Sequence, residues 1–202
     1  MNYFVTAIGT DSGKTLVSAI LTEALHADYW KPVQAGFPKD SEAVEALLSN
    51  TTSKILPEQY VLNTPASPHY AAEVDRVSIH AKEMTLPFTK NRHLIIEGAG
   101  GALVPLNDKE FVIDITNNFP CEVILVCNLY LGSINHSLLT LNELKHRNVK
   151  VKGIIFNGPS NPSSESIIVK HAQLPVLLNI KQEEKINKEV VRKYASIVRE
   201  QL

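Results

Sequence analysis

The sequence predicts a doubly wound α/β fold, a mostly parallel sheet with helices on both faces, formed by residues 1–202 as a single domain. Short apolar runs alternate along the chain with patterns typical of amphipathic helices. Several runs are continuously apolar, which is typical of strands buried on both faces of a parallel sheet. No repeat or linker divides the 202 residues, and with 44% hydrophobic residues the chain can form one well-packed core.

The predicted strands and helices follow one another in a regular order. The strands are YFVTAI (3–8), DYWKPV (28–33), HLIIEGA (93–99), EVILVCN (122–128), KGIIFN (152–157) and PVLLNI (175–180). The helices are KTLVSAILTEALHA (14–27), DSEAVEALLSN (40–50), INHSLLTLNELKHR (134–147), SSESIIVKHAQ (163–173) and KEVVRKYASIVRE (188–200). Residues 50–75 contain three prolines and are predicted to be an extended connection beside the ligand site. Ligands of such a sheet bind beyond the carboxyl ends of the strands, so functional residues are expected there.

The first strand leads into TAIGTDSGKT (6–15), whose last three residues match a phosphate-binding loop. Backbone N–H groups at the start of the following helix would hold phosphate oxygens, Lys14 would reach the outer phosphates and Thr15 would bind Mg²⁺. The segment predicts a P-loop NTPase-like fold.

The spacing of this loop is unusual. The pattern G-x-x-x-x-G-K-[ST] requires glycine at position 8, where the chain has Ile8. A loop with five intervening residues places the first glycine at Ala7. Alanine there would cost about 1 kcal/mol if the backbone needs a positive φ, and little otherwise.

Two further strand ends carry charged residues. Lys31 follows a tryptophan and precedes a proline, and a lysine there is unfavourable unless its ammonium reaches a polar site. We predict that it stabilises negative charge on the reacting groups; a snorkelling edge lysine is the alternative. Glu97 ends an apolar strand in IIEGAGG and could bind Mg²⁺ opposite Thr15. Asp40 could cap a helix or supply a further magnesium carboxylate, and Glu42 competes for the second role.

The overall composition excludes several classes of protein. The net charge is −1 with scattered lysines and arginines, which argues against nucleic-acid binding. No apolar run is long enough to span a bilayer and no signal peptide is evident, so a cytoplasmic protein without a membrane partner is expected. Cys121 and Cys127 are too far apart along a strand to form a disulfide with each other. The histidines form no cluster with metal-ligand spacing.

Four segments follow one another along the chain. They are the phosphate loop, KPVQAG (31–36), EGAGG (97–101) and LGSINHSLLT (131–140). In this order they resemble the dethiobiotin synthetases of biotin biosynthesis, and the resemblance covers essentially the whole chain. The resemblance implies a homodimeric, ATP- and Mg²⁺-dependent enzyme. Such enzymes bind 7,8-diaminononanoate, capture CO₂ on an amine as a carbamate and phosphorylate it with ATP. The second amine then attacks the carbamic-phosphoric anhydride, which closes the ring and releases phosphate.

The resemblance also implies a set of site residues. The catalytic residues would be Lys31 and Lys14, and the metal ligands Thr15, Asp40 and Glu97. The nucleotide-binding residues would be Thr10, Asp11, Ser12, Gly13, Lys14, Thr15, Glu97, Gly98, Ala99, Gly100, Asn157 (at the base), Asn179, Ile180 and Lys181. The substrate-binding residues would be Lys31, Ala35, Gly132, Ser133, Ile134 and Asn135, the last four reaching across the dimer to the substrate carboxylate. Ser67-Pro68-His69 resembles a family stretch near the substrate.

The chain departs from the family pattern at three places. Ala7 replaces the first glycine of the loop, and Ala35 replaces a serine that touches the substrate in many relatives, a loss of about 0.5–1.5 kcal/mol. The stretch LNIKQEE lacks the usual proline, which leaves the base preference open.

Other P-loop functions fit the sequence less well. A nucleotide kinase would carry an arginine-rich lid, whereas the arginines here are dispersed. A GTPase would carry N-K-x-D, which is absent. A partitioning-type switch ATPase would have an additional lysine near Ala7 and Ile8, and would not need Lys31. A non-catalytic scaffold would have no reason to retain Lys14, Thr15, Lys31 and Glu97 together.

Overall fold

The structure is a computed structural model that describes residues 1–202. Its strands are β1 (Asn2–Ala7), β2 (Asp28–Trp30), β3 (Val33–Ala35), β4 (Ile55–Leu56), β5 (Tyr60–Leu62), β6 (Leu94–Glu97), β7 (Glu122–Asn128), β8 (Val151–Asn157) and β9 (Val176–Ile180). Its α-helices are α1 (Lys14–Leu25), α2 (Asp40–Leu47), α3 (Pro68–Asp75), α4 (Ser133–His146), α5 (Pro162–Ala172) and α6 (Lys188–Val198). Short 3₁₀ segments cover Ala81–Glu83, Val112–Asn118 and Arg199–Gln201.

Seven strands form the central sheet in the order β4-β2-β6-β1-β7-β8-β9, and every neighbouring pair is parallel. The chain crosses over β1 between β6 and β7, so the winding direction reverses beside β1. Such a reversal opens a crevice at the carboxyl ends of the strands. The predicted fold class is confirmed.

The two faces of the sheet are covered by different helices, because alternate side chains of each strand point to opposite faces. Tyr3 and Val5 of β1 pack in one core cluster with apolar residues of α1, α2 and α6. Phe4 lies in a second cluster with residues of α3, α4 and the 3₁₀ segment Val112–Asn118. A third cluster joins α4 and α5 to β7 and β8.

Helix α1 carries the phosphate loop and is fixed firmly to the sheet. Nine of its twelve residues are buried, and its sequence consists largely of good helix formers such as alanine and leucine. It begins after Gly13 at φ 91° and ends at His26, which adopts a left-handed conformation with φ 48°. The helix N-terminus therefore has a fixed place beside the carboxyl end of β1.

The structure corrects the predicted strand DYWKPV. The strand ends at Trp30, because Pro32 has no N–H to donate to the sheet. The chain resumes as β3, which pairs with β5 in a separate two-stranded sheet. Lys31 therefore lies between β2 and β3, just beyond the carboxyl end of β2.

The extended connection predicted for residues 50–75 was also only partly right. It contains the short strands β4 and β5 and, from Pro68, the helix α3, whose first position suits proline. Two- and three-residue strands carry too little apolar periodicity to be found from sequence. No helix of the fold combines the length and apolarity needed to cross a membrane.

Candidate active site

A cavity of about 710 Å³ opens at the carboxyl ends of β1, β2 and β6. Charged and polar side chains make up much of its lining. The residues that line it are Thr10, Asp11, Gly13, Lys14, Thr15, Lys31, Gln34, Ala35, Gly36, Phe37, Pro38, Asp40, Pro65, Ala66, Ser67, Pro68, Glu97, Ala99, Gly100 and Val104.

The phosphate loop does not need glycine at its first position. Ala7 is the last residue of β1, is fully buried and does not adopt a positive φ. The left-handed residues of the loop are Asp11, at φ 56°, and Gly13, at φ 91°. Aspartate tolerates this region better than most residues, and glycine tolerates it freely. Alanine at position 7 therefore carries no conformational penalty.

Lys14 extends from the start of α1 back over the loop. Its ammonium donates a hydrogen bond to the carbonyl of Gly9 at 3.3 Å, and the Ser12 hydroxyl donates to the same carbonyl at 3.1 Å. Burial lowers the pKa of Lys14, and the nearby Lys31 charge lowers it further, although Glu97 opposes this. A buried ammonium directed into the cavity provides a charge for an anionic ligand.

Lys31 forms ion pairs with two carboxylates in the cavity. Its ammonium donates to Asp40 Oδ2 and, at 3.1 Å, to Glu97 Oε1. The lysine side chain is only 5% exposed, so the snorkelling alternative is wrong. Burial alone would lower the pKa of Lys31, but the Glu97 and Asp40 charges outweigh burial and raise it. The ammonium therefore stays protonated at neutral pH.

Glu97 is held by three partners although it is almost completely buried. Its Oε1 accepts from the Thr15 hydroxyl at 3.0 Å as well as from Lys31, and its Oε2 accepts from the Tyr29 hydroxyl at 3.0 Å. Strand alternation places Tyr29, Lys31 and Glu97 on the face of the sheet that carries α1. Burial and the negative charge of Glu97 raise the pKa of Tyr29 well above its usual value, so its hydroxyl remains a donor.

Thr15, Glu97 and Asp40 fit a magnesium ion. They offer a hydroxyl and two carboxylates, the hard oxygen ligands that Mg²⁺ prefers. Thr15 Oγ1 and Glu97 Oε1 lie 3.0 Å apart, and all three side chains line the same cavity, so their oxygens could be shared by one ion.

Asp40, and not Glu42, faces this site. Asp40 is the first residue of α2, whose N-cap is Lys39, so the alternative of Asp40 as the helix cap is wrong. Gln34 accepts a hydrogen bond from the Asp40 N–H at 3.2 Å and donates to the Gly36 carbonyl at 3.0 Å. These two bonds fix the start of α2 against the turn after β3. Glu42 is exposed and does not line the cavity.

Most predicted nucleotide-binding residues converge on the cavity. Those that line it are Thr10, Asp11, Gly13, Lys14, Thr15, Glu97, Ala99 and Gly100. Ser12 lies beneath the loop, and Gly98 packs against the ring of Phe4, where a Cβ would approach to 3.1 Å. Asn157 touches the loop from the end of β8, and its Nδ2 donates to the Ser12 carbonyl at 3.0 Å.

Other predicted residues lie outside the cavity. Asn179, Ile180 and Lys181, at and after the end of β9, do not line it. Gly132, Ser133, Ile134 and Asn135, at the start of α4, are also outside it within one chain. Of the predicted substrate residues, Lys31 and Ala35 line the cavity, as do Ser67 and Pro68, whereas His69 is exposed and does not line it.

Sequence reasoning missed several residues of the site. Tyr29 lies within the predicted strand 28–33 and Gln34 directly follows it, and only their three-dimensional contacts distinguish them from core residues. Phe37 and Pro38, joined by a cis peptide bond, line the cavity together with Pro65. The signal that could have found them is their position directly after KPVQAG, at a strand end.

The sequence of this chain is similar to sequences of known family. A family model described as an AAA domain, a P-loop family, matches residues 1–190. A relative from Cytophaga hutchinsonii, named ATP-dependent dethiobiotin synthetase BioD, is 60% identical over 194 residues, which are 96% of this chain and 94% of the relative. A relative of the same name from Christiangramia forsetii is 46% identical over 203 residues, covering 100% of this chain and 97% of the relative.

Solved structures support the fold. The cell division ATPase MinD of Pyrococcus furiosus has a TM-score of 0.60 at 15% identity, with 100% of this chain and 99% of that chain covered. A ParA family ATPase from Chlorobium tepidum has a TM-score of 0.58 at 14% identity, with 98% and 91% covered. At such identities the likeness concerns the fold alone.

Proposed function

The chain belongs to the ATP-dependent dethiobiotin synthetases, a family of ligases, and we propose that it makes dethiobiotin from 7,8-diaminononanoate, CO₂ and ATP. The observation that carries the proposal is the convergence of Lys14, Thr15, Lys31 and Glu97 on one cavity at the phosphate loop. These residues are separated by up to 83 positions, and only a shared function requires all of them at one place.

We propose three chemical steps. An amine of the substrate attacks CO₂ and loses a proton, which gives a carbamate. A carbamate oxygen then attacks the γ-phosphorus of ATP, the bond to the bridging oxygen breaks, and ADP leaves. The second amine attacks the carbonyl carbon of the resulting anhydride, inorganic phosphate leaves with the bonding electrons, and loss of a proton completes the ureido ring.

In this scheme the two lysines stabilise negative charge. Lys14 lies at the start of α1, where the helix N-terminus favours phosphate, and a bound phosphate would counteract the lowering of its pKa. Lys31 is held near the cavity by ion pairs with two carboxylates. When the substrates bind, its ammonium would contact the carbamate or the transferred phosphoryl group. Little side-chain acid–base chemistry is required, because positioning and charge stabilisation supply most of the catalysis in phosphoryl transfer.

Thr15, Glu97 and Asp40 would hold the metal ion of the reaction. When bound there, Mg²⁺ would offset the charge of the β- and γ-phosphates of ATP. Glu97 would present Oε1, which the Thr15 hydroxyl already contacts, and Asp40 would exchange its contact with Lys31 for the metal.

The substrate carboxylate needs a group that this cavity does not supply within one chain. We propose that Gly132, Ser133, Ile134 and Asn135 of a second subunit supply it in a homodimer. The start of α4 favours an anion because it is the positive end of the helix dipole. The exposed side chains of Leu131 and Ile134 at this helix support such a contact surface. We also propose a cytoplasmic location, which the two free thiols support.

The test measures fixed carbon and ADP in the same reaction. Purified protein is incubated with Mg-ATP, labelled bicarbonate and 7,8-diaminononanoate, and acid-stable label is measured beside ADP. We expect one label fixed for each ADP formed, and loss of both with Lys31→Gln. Lys39→Gln is the matched control, because Lys39 is a neighbouring lysine that pairs with Glu58 at 2.9 Å outside the cavity. Equal ADP formation without the diamine would contradict the proposal and indicate a switch-type ATPase.

A further inference from the structure

We infer that Tyr29 is a positioning residue for the metal site and that it acts through Glu97. The inference rests on the proposed function, because it concerns the magnesium ion that Glu97 would bind. Tyr29 has 0% exposure and does not line the cavity. Its hydroxyl nevertheless ends at the carboxylate that the metal requires, 3.0 Å from Glu97 Oε2.

The contacts of Glu97 divide between its two oxygens. Oε1 accepts from Thr15 and from Lys31, and both of these partners line the cavity. Oε2 accepts from Tyr29, its one hydrogen-bond partner in the protein. The tyrosine therefore determines which oxygen is turned toward the metal position and which is turned into the core.

Burial makes this orientation necessary. Glu97 is 1% exposed, so no bulk water can satisfy Oε2 if Tyr29 does not. Without the hydroxyl, the carboxylate would rotate to share Thr15 and Lys31 between both oxygens. Oε1 would then leave its 3.0 Å contact with Thr15 Oγ1, the other oxygen proposed to bind the metal at this point of the cavity. Outer partners of metal ligands typically act in this way.

The neighbouring strand fixes Tyr29 in turn. β2 pairs with β6 with Tyr29 beside Ile95, so the ring lies on the same face as Glu97 and its hydroxyl reaches two residues along the neighbouring strand. The ring is enclosed by the core cluster beneath α1. A rigid ring placed by the sheet holds the carboxylate more firmly than a surface side chain could.

The chain offers a matched control for a test. Tyr3 is another buried tyrosine of the same core cluster, 1% exposed, and its hydroxyl is not bonded to Glu97. Tyr3→Phe and Tyr29→Phe each remove one tyrosine hydroxyl and leave the aromatic ring in the same core cluster. A general effect of replacing a tyrosine of this cluster by phenylalanine would appear in both variants.

The experiment measures how strongly Mn²⁺, as a substitute for Mg²⁺, increases the affinity for a non-hydrolysable ATP analogue. The dissociation constant of the analogue is determined in EDTA and in saturating Mn²⁺, and protein-bound Mn²⁺ is followed by its EPR spectrum. We expect Tyr29→Phe to bind the analogue normally in EDTA and to lose about 10- to 100-fold of the Mn²⁺-dependent gain, with a changed EPR spectrum. Tyr3→Phe should retain the full gain.

A double-mutant cycle decides whether Tyr29 acts through Glu97. Glu97→Gln should reduce the gain, and adding Tyr29→Phe to it should cause no further loss, because the route of action is already removed. An equal gain in wild type and Tyr29→Phe, or independent losses in the double variant, would overturn the inference. If wild-type protein shows no Mn²⁺-dependent gain, the magnesium site is wrong and the positioning role fails with it.

Discussion

The side-chain amide of Asn157 donates a hydrogen bond to the carbonyl oxygen of Ser12, with 3.0 Å between nitrogen and oxygen, across 145 positions of the chain. The bond joins the end of β8 to the phosphate loop. The same amide lies directly over Gly13. The residue proposed to recognise the base therefore also holds the loop.

Asn157→Asp should weaken nucleotide binding, because a carboxylate repels the Ser12 carbonyl that the amide now satisfies. Leaving that acceptor without its donor should cost about 1–3 kcal/mol. Calorimetric titrations with ATP and with tripolyphosphate separate the two roles. A defect of the loop weakens both ligands, whereas lost base recognition weakens ATP alone. Asn117→Asp, an exposed change outside the cavity, is the control, and normal tripolyphosphate binding by Asn157→Asp would contradict the anchoring role.

Gly13→Ala should abolish nucleotide binding while leaving the fold intact. A Cβ there would lie 2.1 Å from Asn157 Nδ2, and a φ of 91° adds a strain of about 1–2 kcal/mol for an L-residue. Gly9→Ala is the matched control, because Gly9 does not have a positive φ and a Cβ there meets nothing within 4 Å. Binding of a fluorescent ATP analogue measures both variants, and equal affinities would refute the crowding argument.

Asp40→Asn should raise the Mg²⁺ concentration needed for half-maximal activity. The increase should be at least roughly tenfold, because loss of a mere outer partner of a metal ligand typically has an effect of that size. Glu42→Asn should change it little, because Glu42 is exposed outside the cavity. The measurement is a magnesium titration at saturating ATP. Small and equal effects of both variants would remove Asp40 from the metal site.

Glu23→Gln should destabilise the protein in a pH-dependent way. Burial would raise the pKa of Glu23, but hydrogen bonds from Ser49 and Asn50 outweigh it and lower the pKa. A depressed native pKa contributes stability above the unfolded value, near about 4.3, and that contribution is lost as the pH falls through the native pKa. Urea unfolding should show a loss of about 1–3 kcal/mol at pH 7, and a smaller one below about pH 4.

The control for this measurement is Glu45→Gln, since Glu45 is exposed on α2. Its free energy of unfolding should stay within about 0.5 kcal/mol of wild type. A loss in Glu23→Gln that does not shrink in acid would show that the contribution of Glu23 is not due to its charge.

Both thiols should be unreactive in the folded protein. Burial raises the pKa of Cys121 to about 11 and that of Cys127 to about 12, so neither forms appreciable thiolate at pH 8. Titration with a thiol reagent at pH 8 should label neither residue in native buffer and both in urea. Rapid labelling of the native protein would contradict the burial of these side chains.

The sequence was most informative where an apolar run was long or where a charged residue followed a buried strand. The apolar runs of β1, β7 and β8 identified the sheet, because a strand buried on both faces must be apolar throughout. The GKT loop was found from its motif. Lys31 and Glu97 were found because charged residues at the ends of such strands are unfavourable unless they contact a polar partner.

It was least informative where partners lie far apart in the chain. Whether Lys31 snorkels or pairs depends on Asp40 and Glu97, which folding brings to it. Tyr29 and Gln34 look like ordinary strand residues until their hydrogen-bond partners are known. Whether position 7 needs glycine depended on its φ angle, which cannot be read from the spacing of the motif.

The sequence by itself determined the α/β class, the phosphate loop and the types of charge that the site contains, because these follow from local periodicity and from the chemistry of single residues. Only the tertiary structure decided which carboxylate faces Lys31, which oxygen of Glu97 is turned to Thr15 and what holds it there. These are relations between side chains on different strands. The sheet register and the burial of each group, rather than spacing along the chain, fix them.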